Sequence, residues 1–506
     1  MKRLLYIAML GAGLFAATSC VDLVQEPQSF ITEEEYIAGM DLDGIQQAVS
    51  ALYTNLWYNN YGFNCRLQRL NVCADDVTFR AAKANNALAN YGRLSPNVTV
   101  NTDDYDNTWS LFFNVINNAN KLINKTVLPG DETDAVEFKK VLGEAYFLRG
   151  LSYFYLVRLY GDVPLILKEE DASTYMPRTA VADIYEKAIV PSLKTAAEWL
   201  PAASRNVSAT PSKWAAEACL ADVYLTMAGW PLNKGEAYYA LAAETAAGII
   251  ANAGLYLTPK YADLWKEENK AQTNEVLFAL HHSSTLKTAS NYGKSYYPAD
   301  FYPNAGWADY YGNERFFLAY PDDERKAWNY MTRWKVKTGE KDANNKDIVK
   351  EVYYTESGDK LPAISKYYDY DAGAPGKSAQ ANGITCLYRY ADVLLMYAEA
   401  SVRATNSVNA EALEAIQAVQ KRAGYADAQL TVTTDPAAFL TAVFNERGWE
   451  FFAEMKRWFD LVRLEKVSEV RSEAWAGSVF HANGHYYFPV PYQQINLTGW
   501  TNNPGY

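Results

Sequence analysis

The chain has 506 residues, 49% hydrophobic and 21% charged, which excludes a disordered protein and gives enough chain for one large core or two. A formal net charge of −12 with no basic stripe argues against nucleic acid as a partner. The unusual numbers are aromatic: 39 Tyr, 13 Trp and 20 Phe suit wet binding surfaces as well as cores.

The first stretch is "MKRLLYIAMLGAGLFAATSC". Lys2 and Arg3 precede an apolar run from Leu4 to Ala17, and small residues lead into Cys20. The run is shorter than the roughly 20 residues of a permanent membrane helix. It resembles a bacterial lipoprotein signal over residues 1–19. Cys20 would then be lipidated, and the mature chain anchored to a membrane rather than threaded through it. An ordinary secretory signal with an incidental Cys20 is the alternative.

Helical periodicity begins with "LDGIQQAVSALYTNLWY", where Ile45, Val49, Leu52 and Leu56 share one face and Asp43 is the expected N-cap. Residues 59–105 follow as a loop-rich excursion. "TWSLFFNVINNANKLI" is again helical. "FKKVLGEAYFLRGLSYFYLVRLYG" is apolar almost all round, which predicts a central buried helix ended by Gly161. Two helix pairs come next in kind: "SKWAAEACLADVYLTMAG" with "KGEAYYALAAETAAGIIANAG", and "YRYADVLLMYAEASVRA" with "NAEALEAIQAVQKRAG". Small Ala and Gly alternate with Tyr and Leu, so the helices can approach closely. The pairs resemble tetratricopeptide hairpins, irregular and widely separated. The expected fold is mostly α, with helical scaffold over about 40–58, 106–254 and 386–465.

Residues 255–385 differ. They are rich in Tyr, Pro, Gly, Asn and Asp, with short β-prone runs such as "NEVLFAL" and "IVKEVYYT". Long irregular segments in compact domains are usually functional, and binding residues favour loops on a rigid scaffold. Both excursions are therefore expected on a variable, loop-rich face of a single domain spanning 20–506.

Three later stretches resemble one family. They are "YRYADVLLMYAEA", "NERGWEFFAEMKRWFDLVRL" and the C-terminal "YYFPVPYQQINLTGWTNNPGY"; "GEAYFLRGLSYFYLVRLYGDVPLIL" and "YPDDERKAWNY" also fit. In this order, behind a lipoprotein signal, they are similar to the SusD/RagB family of outer-membrane nutrient-binding lipoproteins. The resemblance implies about four irregular tetratricopeptide-like helix pairs under a variable ligand face. It also implies a non-enzymatic role outside the cell. Such a protein sits on a SusC-like TonB-dependent outer-membrane transporter, captures glycans or peptides, and delivers them to the barrel.

Catalytic and metal signatures are sparse. There is no GxSxG elbow, Walker loop, HExxH or CxxC. Glu446, Glu450 and Glu454, with Arg447 and Arg457, could be misread as an acid/base site; helix-surface and scaffold ion pairing is the expected role. His281 and His282 end an apolar run and read as strand-end residues. His481 and His485 flank an Asn-Gly turn and make a weak metal site. Cys65 and Cys73 are close enough to bridge in an exported protein, and Cys219 and Cys386 read as buried thiols. No cofactor is expected, and a structural calcium on a carboxylate cluster stays open.

The ring-rich stretch "NYGKSYYPADFYPNAGWADYYGN" holds eight aromatics, from Tyr292 to Tyr311. A pyranose presents a slightly positive C–H face that stacks on Trp or Tyr, while its hydroxyls seek carboxylates, amides or guanidinium groups. The expected glycan contacts are Trp307, Tyr310, Tyr296 and Tyr297 from this stretch. From the first excursion they are Asp76 and Arg80 as hydroxyl partners and Tyr91 as a platform. The competing reading is that each ring anchors its loop to the scaffold. Peptide or glycopeptide capture, a surface glycoside hydrolase, and a ligand-free lid of the transporter are the competing functions.

Overall fold

The structure is a computed structural model that describes residues 31–56, 63–64, 67–79, 102–171, 176–271, 274–303, 305–368, 381–470, 486–504 and 506. Cys20, Cys65, Arg80, Tyr91, His481 and His485 lie outside these residues. Helices dominate, with a few short strands, as the periodicity predicts.

The central element is the helix Glu132–Tyr160, capped by Asp131, whose carboxylate accepts from Thr133 N and Asp134 N. Its last three turns are buried almost all round, so it has no solvent face to keep polar. It stops at Gly161, where φ is +71°; a Cβ there would lie 2.9 Å from the Tyr487 ring. Leu42–Leu52 is also helical, but its N-cap is Asp41, which accepts from Gly44 N, and not the expected Asp43. Both carboxylates sit in "DLDG", and the helix starts two residues earlier than expected.

The helices pack in chain order. Thr102–Lys125 lies on Glu132–Tyr160, and Val190–Trp199 bridges from there to Lys213–Ala228. Lys213–Ala228 packs on Glu236–Asn252, which meets Tyr390–Thr405; Ala410–Arg422 and Pro436–Glu450 close the series. Cys219 and Cys386 are buried thiols. Among the described residues no helix is long and apolar enough to cross a membrane.

Among the described residues, four two-stranded antiparallel sheets lie in the loop-rich segments. Val276–His281 pairs with Ile384–Arg389, closing the long excursion at its base. Val77–Thr78 pairs with Tyr311–Gly312, which ties the two excursions to each other across more than 200 residues of sequence. Arg333–Lys341 and Asp347–Tyr353 form an exposed hairpin. A second core cluster, rich in Tyr, lies under this face and includes Tyr261, Trp265, Tyr311 and Phe452.

Candidate ligand-binding face

The charged stretch "NERGWEFFAEMKRWFD" forms the C-terminal part of the helix Pro436–Glu450, the turn after it and the start of the helix Arg457–Arg463. Its glutamates are not on a helix surface. Glu446 and Glu450 are 0% exposed and Glu454 2%. Arg325 Nη1 donates to Glu446 at 2.6 Å and to Glu450 at 2.8 Å. Arg389 reaches Glu275 and Glu454, both at 2.9 Å, and also Glu450. Arg422 bonds Glu450 as well, and Lys366 Nζ lies 2.6 Å from Glu454. Burial alone would raise the Glu450 carboxyl, but Arg422, Arg389 and Arg325 outweigh it and hold the group well below the usual carboxylate range. Carboxylates sealed in this way cannot flank a scissile bond. The expectation of ion pairing holds, while its expected place on the surface does not.

This network holds a strained turn. Ala453 and Met455 have φ of +58° and +64°, a conformation that residues with a Cβ rarely adopt. Side chains brace it from several directions. Lys366 Nζ donates to Phe452 O at 2.7 Å, Tyr367 Oη to Ala453 O at 2.8 Å, and Met455 N to Asn71 Oδ1 at 2.8 Å. Ala453 N donates to Asp76 Oδ2 at 3.0 Å. Asp76 is thus a buried brace and not an open hydroxyl partner: it is 0% exposed. Its neighbour Asp75 is committed to Arg457, at 2.8 and 3.1 Å.

Burial pushes the Asp76 carboxyl up to about 7, with the charge of Asp75 adding to the push against the Ala453 N–H and Arg457. In the unfolded chain the group titrates near 3.8. Between those values the folded protein keeps a proton that the unfolded chain has lost. The fold therefore loses stability as pH rises through this window, and the loss is complete above it. Asp76→Asn keeps the acceptor and removes the titration. It is expected to stabilise the protein by roughly 1–3 kcal/mol at pH 8 and to change little at pH 4. Denaturation midpoints at both pH values check this; an equal shift at both rules it out.

Of the eight rings in the ring-rich stretch, Tyr292, Tyr296, Tyr297, Tyr310 and Tyr311 are at most 3% exposed. Tyr296 stacks on Tyr367 at 5.9 Å, and Tyr297 meets Tyr368 edge-on at 4.8 Å. Tyr296, Tyr297 and Tyr310 are therefore corrected from sugar platforms to core rings. Their apolar area is already spent on the second cluster. Phe301, Tyr302 and Trp307 are half-buried.

Trp307 is presented by a loop closed at its base. Trp307 N donates to Lys294 O at 2.7 Å, Ala308 N to Tyr297 O at 2.9 Å, and Gly306 N to Pro298 O at 2.9 Å. Gly306 is required for the close approach, since a Cβ there would fall 2.1 Å from Tyr297 O. Lys294 Nζ lies 4.9 Å from the Trp307 ring centroid, so a cation occupies one side of the indole. The loop also meets the first excursion, through the Val77–Thr78 pairing, Asn313 N to Asp76 O at 2.9 Å, and Asn71 Nδ2 to Tyr296 Oη at 3.3 Å. The two excursions thus form one face, although Arg80 and Tyr91 lie outside the described residues.

Among the described residues no three His, Cys, Asp or Glu side chains converge as a metal site. His281 ends its strand and sits 2.9 Å from Ser208 Oγ; His282 Nε2 lies 2.7 Å from Thr385 Oγ1.

Residues 29–225 match the family described as "Starch-binding associating with outer membrane", and residues 252–506 match the SusD family. A SusD-like protein, P2, of Formosa agariphila is 30% identical over 425 residues, covering 79% of this chain and 80% of that one. The fold matches a SusD superfamily protein from Parabacteroides distasonis with a TM-score of 0.76 at 24% identity, covering 94% of this chain and 100% of the other. It also matches a surface glycan-binding protein A from Bacteroides thetaiotaomicron, solved with laminarihexaose, with a TM-score of 0.71 at 20% identity over 92% and 99%. With matched segments across both halves and a relative sharing most of its length, the chain belongs to the SusD/RagB family.

Proposed function

We propose that this protein is a non-enzymatic, lipid-anchored carbohydrate-binding protein of the outer cell surface. It captures a complex glycan or oligosaccharide and passes it to a SusC-like TonB-dependent outer-membrane transporter. The observation that carries the reading is Trp307: a half-buried indole on a pinned loop of the ring-rich stretch, which pairs with the first excursion at Tyr311–Gly312. The glycan-binding fold neighbour and the starch-binding description of the matched family support the carbohydrate class. The sealing of the glutamates in ion pairs supports binding without hydrolysis. Anchoring rests on the signal-like stretch before Cys20.

A glycan array probed with the chain lacking residues 1–20 tests the function. Retention on at least one oligosaccharide, with no cleavage products, is expected. Retention of peptides alone would move the reading to peptide capture. Anchoring is tested in cells fed radiolabelled fatty acid: label is expected in the wild type and absent from Cys20→Ala.

A further inference from the structure

The helix Thr102–Lys125 carries five asparagines between positions 114 and 124. Asparagine is a poor helix former, because its amide competes for nearby backbone groups. Two of the five are used within the chain. Asn120 Nδ2 donates to Ile166 O and Asn124 Nδ2 to Leu167 O, each at 2.8 Å, tying down the segment after the central helix. Asn114, Asn117 and Asn118 are exposed, and among the described residues their side chains have no hydrogen-bond partner. The helix therefore bears the propensity cost of these three without any return inside the fold.

All three line a groove of about 690 Å³. Asn114 and Asn117 also line an adjoining hollow of about 430 Å³, whose wall includes the half-buried Trp500 and the exposed Leu497. Trp500 is fixed by its Nε1 donating to Met176 O at 3.1 Å. On the other side, Asn118 borders a third hollow of about 430 Å³ beside the exposed Tyr36. Two of the three lysines along the groove are paired, and among the described residues Lys168 is left with Glu34 as the unpaired charges. Lys121 pairs with Glu33 at 2.7 Å and Lys125 with Glu169 at 2.6 Å. From Asn114 to Asn124 the helix rises about 15 Å. The result is a charge-balanced trough. Amides that can donate and accept line it, and each of the two flanking hollows carries an aromatic, Trp500 in one and Tyr36 in the other.

We propose that this trough is a second carbohydrate-binding site, holding a neutral oligosaccharide along the helix Thr102–Lys125. A polyol matches it because each hydroxyl both donates and accepts, as each amide does. Lys121, Lys125 and Lys168 are balanced in number by Glu33, Glu34 and Glu169, so a charged ligand gains no net attraction there, although Lys168 and Glu34 make no ion pair among the described residues. The carbohydrate class rests on the proposed function. The site does not, since none of its lining residues belongs to the Trp307 loop.

The test is a glycan array run with the chain lacking residues 1–20, as wild type, as Trp307→Ala, as the triple Asn114→Ala, Asn117→Ala, Asn118→Ala, and as all four changes together. Trp307→Ala is expected to leave residual retention, and adding the triple to lower that residue by about tenfold. The triple should melt no lower than wild type, because alanine is the better helix former. Equal retention by wild type and triple, with none left in Trp307→Ala, overturns the second site and leaves the proposed function standing. An array empty for wild type overturns both. On a peptide array run in parallel, loss of peptide retention in the triple, with glycan retention unchanged, overturns the carbohydrate assignment and gives the trough to an extended peptide.

Discussion

Arg389→Met is expected to lower stability by roughly 3–5 kcal/mol, a large part of what holds a typical domain folded. The guanidinium is 0% exposed and serves Glu275, Glu450 and Glu454 at once, besides donating to Glu450 O at 2.9 Å. Methionine fills similar volume but leaves three buried carboxylates short of a cation, which is far costlier than the loss of a contact. The damage is architectural. Arg389 ends the strand that closes the long excursion, and Asp392 accepts from its backbone N–H at 3.0 Å as the next helix begins. Urea denaturation measures the effect. Lys187→Met removes an exposed pair with Asp183 and is the control; it should shift stability by less than about 1 kcal/mol. Adding Glu454→Gln to Arg389→Met should recover part of the loss, since one of the orphaned charges is then gone. An Arg389→Met protein as stable as wild type would mean that the cluster is held by packing and not by charge.

This cluster also marks how far the sequence can be read. Its glutamates and arginines look like a solvated helix face because charged residues are rarely buried. The cations that bury them come from distant segments: Arg325, Lys366, Arg389 and Arg422 approach a helix ending at Glu450. Such a convergence has no local spacing to betray it. Helices such as Glu132–Tyr160 were legible because periodicity and an apolar girdle are local properties. The ring-rich stretch sat between these cases. Its composition announces aromatic chemistry, but an irregular backbone has no period from which to tell inside from outside. Tyr296 and Tyr310 point into the second cluster while Trp307, a few residues away, stays half in solvent. Asn114, Asn117 and Asn118 escaped for the opposite reason, since a polar helix face reads as ordinary surface.

Trp307→Ala is expected to weaken binding to the array-identified glycan by about 1–3 kcal/mol, or roughly 5- to 150-fold, by analogy with stacking of other rings on aromatic platforms. The fold should survive, because the indole is not fully buried and its loop is held by backbone bonds at Gly306, Trp307 and Ala308. Trp307→Phe should recover much of the affinity, since stacking needs a flat apolar face and not the indole N–H. Gly306→Ala keeps the ring and moves it: the new methyl cannot coexist with Tyr297 O at 2.1 Å. It should therefore weaken binding nearly as much as Trp307→Ala does, which separates the ring's position from its mere presence. Lys294, over one side of the indole, raises a further expectation. A neutral sugar on the other side gains no Coulomb energy from the ammonium, so affinity should barely change between low and high salt. Steep salt dependence would instead point to an anionic ligand on Lys294. Isothermal titration of the three variants at two ionic strengths decides among these outcomes. Unchanged affinity in a folded Trp307→Ala protein would remove the ring from the site altogether.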